Sequence, residues 1–184
     1  MTIQSGLIKF DDIKLTDALF EFAADLGKQR SNNSKSFYQS GGEKDRGNDE
    51  GRISQLGILG EVIARKLLDS IGIKYDATPL VDKKPVNKPD LSTGGFLGTV
   101  DVKTSQNLKE YQVNYEDHND YSHRPEYYLF IGINKRKMLA IVHAIPSINI
   151  DNMNWEVAEF QRESGTSRHY KIKKESYESC LVDF

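Results

Sequence analysis

Between residues 14 and 29, Leu15, Leu19, Phe22 and Leu26 recur every three or four positions, while Asp17, Glu21, Asp25 and Lys28 fall largely opposite. That spacing predicts a surface helix with one apolar face, and Thr16 is placed to cap it. The pattern then stops. Residues 31–52 are rich in Asn, Ser, Gly and charge, with Phe37 and Tyr38 as the only obvious anchors, and predict either a mobile surface segment or a long loop ordered by a partner. Helical periodicity returns over 53–70 through Ile53, Leu56, Ile63, Ala64, Leu67 and Leu68, and ends toward Gly72. Gly57 and Gly60 inside it weaken the helix, so their presence points to close backbone packing. Extended chain is expected next. Asp90-Leu91 ends a short strand, Gly94-Gly95 turns the chain, and residues 96–104 form a second strand. Tyr127–Asn134 and Met138–Ala144 read as a hairpin around Lys135-Arg136 that Pro146 closes. Trp155–Phe160 and Tyr170-Lys171-Ile172 are further extended pieces, with a Gly-containing loop at 163–167 between them and a short helix or coil at the end. No internal repeat is present. The order of elements predicts a mixed α/β (α+β) fold around one central sheet flanked by helices, in a single domain spanning 1–184.

Composition narrows the class. With 38% hydrophobic and 28% charged residues in 184, the chain is expected to bury one core. No apolar run reaches the roughly 18 residues a bilayer span needs, and Met1-Thr2-Ile3-Gln4-Ser5 does not open a secretory signal. Cys180 stands alone and no Cys/His cluster has zinc spacing, so a reducing, cytoplasmic setting is expected. A net charge of -2 argues against a protein that coats nucleic acid indiscriminately. The charge is uneven, however: acids crowd residues 1–27, whereas Lys135-Arg136-Lys137, Arg162, Arg168, Lys171, Lys173 and Lys174 come later and are available for backbone contacts.

The chemistry concentrates in residues 88–105. On a strand, Asp101 and Lys103 share one face while Val100, Val102 and Thr104 take the other, which sets an acid and an amine about 6–7 Å apart along the chain. Asp90, across a glycine turn, can return on the adjacent strand beside Asp101. Two carboxylates suit Mg²⁺, which prefers carboxylate and water oxygens at about 2.0–2.1 Å. A lysine next to them can hold or deprotonate an attacking water. The bare triplet of acid, any residue, lysine also occurs at Asp12-Ile13-Lys14 and Asp82-Lys83-Lys84. Only the third has a β-prone flank on both sides and a Pro-Asp upstream. Glu61 lies on the apolar side of its helix with Gly57, Ala64 and Leu68, a costly place for a carboxylate unless it is hydrogen-bonded, paired or coordinated.

Glu61, Pro89-Asp90 and Asp101-Val102-Lys103 followed by Thr104-Ser105 resemble the PD-(D/E)xK, or restriction-endonuclease-like, nuclease superfamily. The resemblance covers residues 58–105, roughly a quarter of the chain. It implies a Mg²⁺-dependent DNA endonuclease in which Asp90, Asp101, Lys103 and Glu61 are catalytic. The metal would be held by Asp90, Asp101, the Val102 carbonyl and Glu61. A Gln-x-x-x-Tyr motif after the lysine, common in exonuclease-like branches, is absent. No P-loop encodes an ATP-driven function. These departures favour a stand-alone type II restriction endonuclease, homodimeric on double-stranded DNA. A structure-specific nuclease (a Holliday-junction resolvase, repair or phage nuclease) and an inactive nucleic-acid-binding protein of the same fold are the alternatives. Lys35, Lys44, Arg46, Arg52, Ser105, Gln106 and Asn107 are the expected DNA contacts. His118 and His123 are expected in a hydrophilic turn, and Tyr127 and Tyr128 in the core.

Overall fold

The computed structural model describes residues 8–39, 50–81, 88–106, 110–151, 156–162 and 165–173. Helix α1 (Asp17–Gln39) starts at Thr16, whose hydroxyl accepts the Leu19 N–H at 3.3 Å, and packs on helix α2 (Glu50–Ser70). The loop expected over 31–52 is therefore helical at both ends, and only 40–49 falls outside the described residues. The apolar stripe misled at this point. Phe22 is half exposed, whereas Ala23 and Ser31 are buried and a Cβ on Gly27 would come within 2.7 Å of the Gln55 backbone. Small residues every four positions set a close helix contact that hydropathy does not register, and they carry α1 beyond its last leucine.

The larger sheet holds β1 (Ile8–Lys9), β2 (Ile13–Lys14), β3 (Asp76–Ala77), β4 (Leu91–Ser92), β5 (Thr99–Ser105), β7 (Tyr127–Asn134) and β8 (Leu139–Pro146). Its order is β1-β8-β7-β5-β4-β3, with β2 also on β8. Only β5 and β7 run parallel, so this is a mixed central sheet. Residues 96–98, expected as strand, belong to the turn before β5, where Gly98 has φ +65°. A side chain at Gly98 would overlap the Glu126 carboxylate, which accepts the Thr99 N–H at 2.7 Å and ties the start of β5 to the start of β7.

One face of this sheet lies under α1 and α2, where Leu19, Ile58, Ile63, Leu91, Val100 and Ile131 join one apolar cluster. The other face corrects the expectation of one sheet. Strands β6 (Glu110–Asn114), β9 (Glu156–Arg162) and β10 (Gly165–Lys173) form a second, antiparallel sheet in the order β6-β10-β9. Tyr111 and Val113 of β6 and Ile172 of β10 pack with Tyr128, Phe130 and Ile145 of β7 and β8. Tyr111 stacks on Phe130 at 4.5 Å. The expected loop at 163–167 shrinks accordingly, because β10 already begins at Gly165. Two short helices, α3 (Tyr115–Asn119) and α4 (Ser147–Asp151), sit beside this second cluster. The C-terminal helix or coil and Cys180 lie outside the described residues. No helix among the described residues is long and apolar enough to cross a membrane.

Gly60 is where α2 meets β5, and a methyl group there would overlap the Thr104 hydroxyl and Cβ. We expect Gly60→Ala to lower the unfolding free energy by about 1–3 kcal/mol through overpacking, despite alanine's better helix propensity. Urea unfolding checks this: equal or higher stability would mean that the helix and sheet separate freely.

Candidate active site

Strand β4 covers β5 only opposite Thr99 and Val100, so beyond Val100 no described strand lies on that edge of β5. Continuing the antiparallel register places Asp90 opposite Asp101. Leu91 and Val100 are buried beneath the helices. Strand alternation therefore turns Asp90 and Asp101 to the other face, together with Lys103. Asp90 Oδ2 accepts the Val102 N–H at 2.7 Å, pairing a ladder donor that β4 is too short to reach. Lys103 Nζ lies 2.7 Å from Asp101 Oδ2. The three side chains thus meet at one open strand edge.

Two carboxylates opposed across a strand pair repel each other. Burial above all, then the charges of Asp101 and Glu61 and a hydrogen bond with Asp101, push the Asp90 carboxyl up to about 8, against the pull of the Val102 N–H. The protonated form of Asp90 is thereby favoured, and it hydrogen-bonds Asp101. Burial works against the charge on Lys103, but Asp101, with Asp90 and Asp117 behind it, outweighs burial and holds the amine above its ordinary value. Lys103 is an ammonium in this state, so of the two expected roles it fills that of a charged donor to water.

A cleft of about 510 Å³ opens over this edge. Helix α2 brings Glu61 to it from the core side, almost fully buried. Its carboxylate is paired at 2.8 Å with Arg30 of α1, whose Nε also donates to the Leu80 carbonyl at 2.8 Å. That pairing meets the cost expected of an acid on an apolar stripe. Arg30 was legible in principle, since it continues the spacing of Leu19, Phe22 and Leu26 as a cation facing an acid on the neighbouring helix.

The donor set fits magnesium. An acid pair whose burial and mutual repulsion oppose double ionisation is relieved by a bound cation. The N–H and C=O of one strand residue point to the same edge, so the Val102 carbonyl faces Asp90 as well. Among the described residues no group of three or more His, Cys, Asp or Glu is gathered tightly enough to form a metal cage. Magnesium commonly keeps several waters and takes only one or two carboxylates together with substrate phosphate.

Of the expected DNA contacts, Arg52, Ser105 and Gln106 fall together. Arg52 donates to the Gln106 side chain at 3.2 Å, joining the start of α2 to the end of β5, where Ser105 is the last residue. Lys35 falls within α1, while Lys44, Arg46 and Asn107 lie outside the described residues. His118 overturns the expectation of a hydrophilic turn. Asn114 caps α3 by accepting the Asp117 N–H at 2.9 Å, and the helix buries His118 completely. There it meets the Tyr128 hydroxyl at 3.0 Å and Asp151 Oδ1 at 2.9 Å. Burial first, and then the charge of Arg124, lower its pKa despite Asp151. Comparison with known proteins finds no matching family model, no matching curated relative and no matching solved structure.

Proposed function

We propose that this chain is a Mg²⁺-dependent DNA endonuclease of restriction-endonuclease-like fold, acting as a homodimeric type II restriction enzyme. The observation that carries the proposal is the meeting of Asp90, Asp101 and Lys103 along β5 beyond its pairing with β4, inside a cleft. A protein that only bound nucleic acid would gain nothing from opposed carboxylates beside a phosphate. The hairpin of β4 and β5, the parallel neighbour β7 and the two helices on one face are compatible with that nuclease core.

Each residue then has a task. Asp90 and Asp101 are the metal ligands, and the Val102 N–H fixes which Asp90 oxygen turns inward. The Val102 carbonyl supplies a third oxygen at the same edge. Bound there, magnesium would neutralise the nonbridging phosphate oxygens and favour deprotonation of water. Lys103 holds its proton at Nζ and donates from it, orienting the water and countering the charge that develops on the phosphate. Glu61, held by Arg30, adds negative potential behind the acids.

The test is cleavage of plasmid duplex in Mg²⁺ against EDTA. Discrete, metal-dependent fragments support a restriction enzyme; a smear, or cutting confined to four-way junctions, supports the structure-specific alternative. No product on duplex, single-stranded or branched DNA in Mg²⁺ or Mn²⁺ overturns the nuclease. Lys103→Met should slow cleavage by about 10²–10³-fold, the cost of removing one charge-stabilising donor, with the circular dichroism spectrum unchanged. Wild-type rates in that variant would remove the lysine from the chemistry.

A further inference from the structure

The cleft has a second wall, built by the loop that leads from α3 into β7, and its most constrained cation is Arg124. The Arg124 side chain is only one-tenth exposed, yet it lines the same cleft as Asp90, Asp101 and Lys103. Asp151 holds it from behind: Oδ2 accepts from Nη2 at 2.7 Å, while Oδ1 faces the buried His118. Burial opposes ionisation of Asp151, but the hydrogen bonds from Arg124 and His118 prevail and keep its carboxyl below the usual range. The Tyr121 ring lies 5.7 Å from the guanidinium.

A guanidinium carries five N–H donors. Among the described residues Arg124 has one hydrogen-bond acceptor, Asp151, so most of its fork is unspent at the cleft. Of the other cations lining the cleft, Lys88 is exposed, while the two better buried ones are committed. Arg30 is bound to Glu61 and the Leu80 carbonyl, and Lys103 to Asp101. An arginine so buried, anchored through one donor with others left over, suits an anion that presents two oxygens side by side, as the nonbridging oxygens of a phosphodiester do.

We propose that Arg124 is a phosphate-binding residue that grips the nucleic-acid backbone beside the phosphate presented to Asp90 and Asp101. The assignment rests on the nuclease proposal for its substrate class, but it concerns binding and is tested without cleavage. Asp151 and His118 set the direction of the fork, and the acids opposite are left to the metal and the scissile group.

The experiment is fluorescence anisotropy of a labelled DNA duplex in EDTA across a salt series, where no cutting intervenes, for wild type, Arg124→Gln and Arg124→Lys. Exposed Lys28 on α1, changed to Gln, serves as the control. Arg124→Gln should weaken binding about tenfold and reduce the slope of log affinity against log salt by about one, as loss of one phosphate contact requires. Arg124→Lys should keep the slope and weaken binding less, since the charge remains while the fork is lost. If Arg124→Gln does not fold, Arg124→Lys decides by its affinity alone. Affinity and slope equal to wild type in the folded variants overturn the proposal even if the wild type cuts DNA. Loss of binding with the expected slope change in a protein that never cuts upholds Arg124 while the nuclease proposal fails. Absence of DNA binding by the wild type overturns both.

Discussion

Asp101→Asn is expected to cost at least about 10³-fold in Mg²⁺-dependent cleavage, equivalent to about 4 kcal/mol of transition-state stabilisation, while the fold persists. Asp101 occupies the one position that touches both other members of the site. It lies opposite Asp90 across the β4 and β5 edge, and it is 2.7 Å from Lys103 Nζ. The amide keeps the shape and removes the charge, so a metal loses one of two carboxylates and Lys103 loses its partner together. Burial then acts on that amine without its main opposition, and its pKa should fall. The measurement is single-turnover cleavage over a range of Mg²⁺ concentrations. A rate restored fully by excess Mg²⁺ would reduce Asp101 to a binding contribution, and an unchanged rate would remove it from the site.

That geometry was legible in the sequence because strand alternation is rigid. Once Val100 and Leu91 are assigned to the core, the period of two places Asp101, Lys103 and Asp90 together on the opposite side, with a glycine turn between them. The helix α2 was legible from its three-to-four-residue apolar spacing, and Gly60 correctly marked its close approach to the sheet. What escaped shares a different cause. The contact between α1 and α2 rests on Ala23, Gly27 and Ser31, whose value lies in being small. The second sheet was announced by Tyr111, Gln112 and Val113, alternating buried, exposed and buried, but three alternating residues are too few to separate from a polar turn. His118 and Arg124 lie in a segment that looks hydrophilic throughout. Their burial depends on Tyr128 and, about thirty residues along the chain, on Asp151, and no local pattern reports such a partner.

Asp90 should leave a second mark, on stability as a function of pH. Its folded-state value of about 8 stands well above the 3.8 of a free carboxyl, because burial and then Asp101 and Glu61 penalise the ionised form. The stability held by the protonated acid is therefore complete below about pH 3.8. It is lost progressively as pH rises, and is gone above about pH 8. In EDTA the decline should be steepest between those limits, at most about 1.4 kcal/mol per pH unit for one proton. Other carboxylates titrate too, so the informative quantity is the difference from Asp90→Asn, which keeps an acceptor for the Val102 N–H and cannot ionise. The variant should gain on the wild type from pH 5 to 8 and hold a constant lead above that, while losing cleavage. Magnesium at pH 8 should narrow the gap by stabilising only the wild type, since a ligand of the folded state adds to its stability by mass action. Thermal unfolding across pH, with and without Mg²⁺, measures the gain, the lead and the narrowing, and the plasmid assay measures the cleavage. Parallel curves for the two proteins would mean that Asp90 is ionised without strain, and the opposed acid pair would cease to be a reason for a metal at this edge.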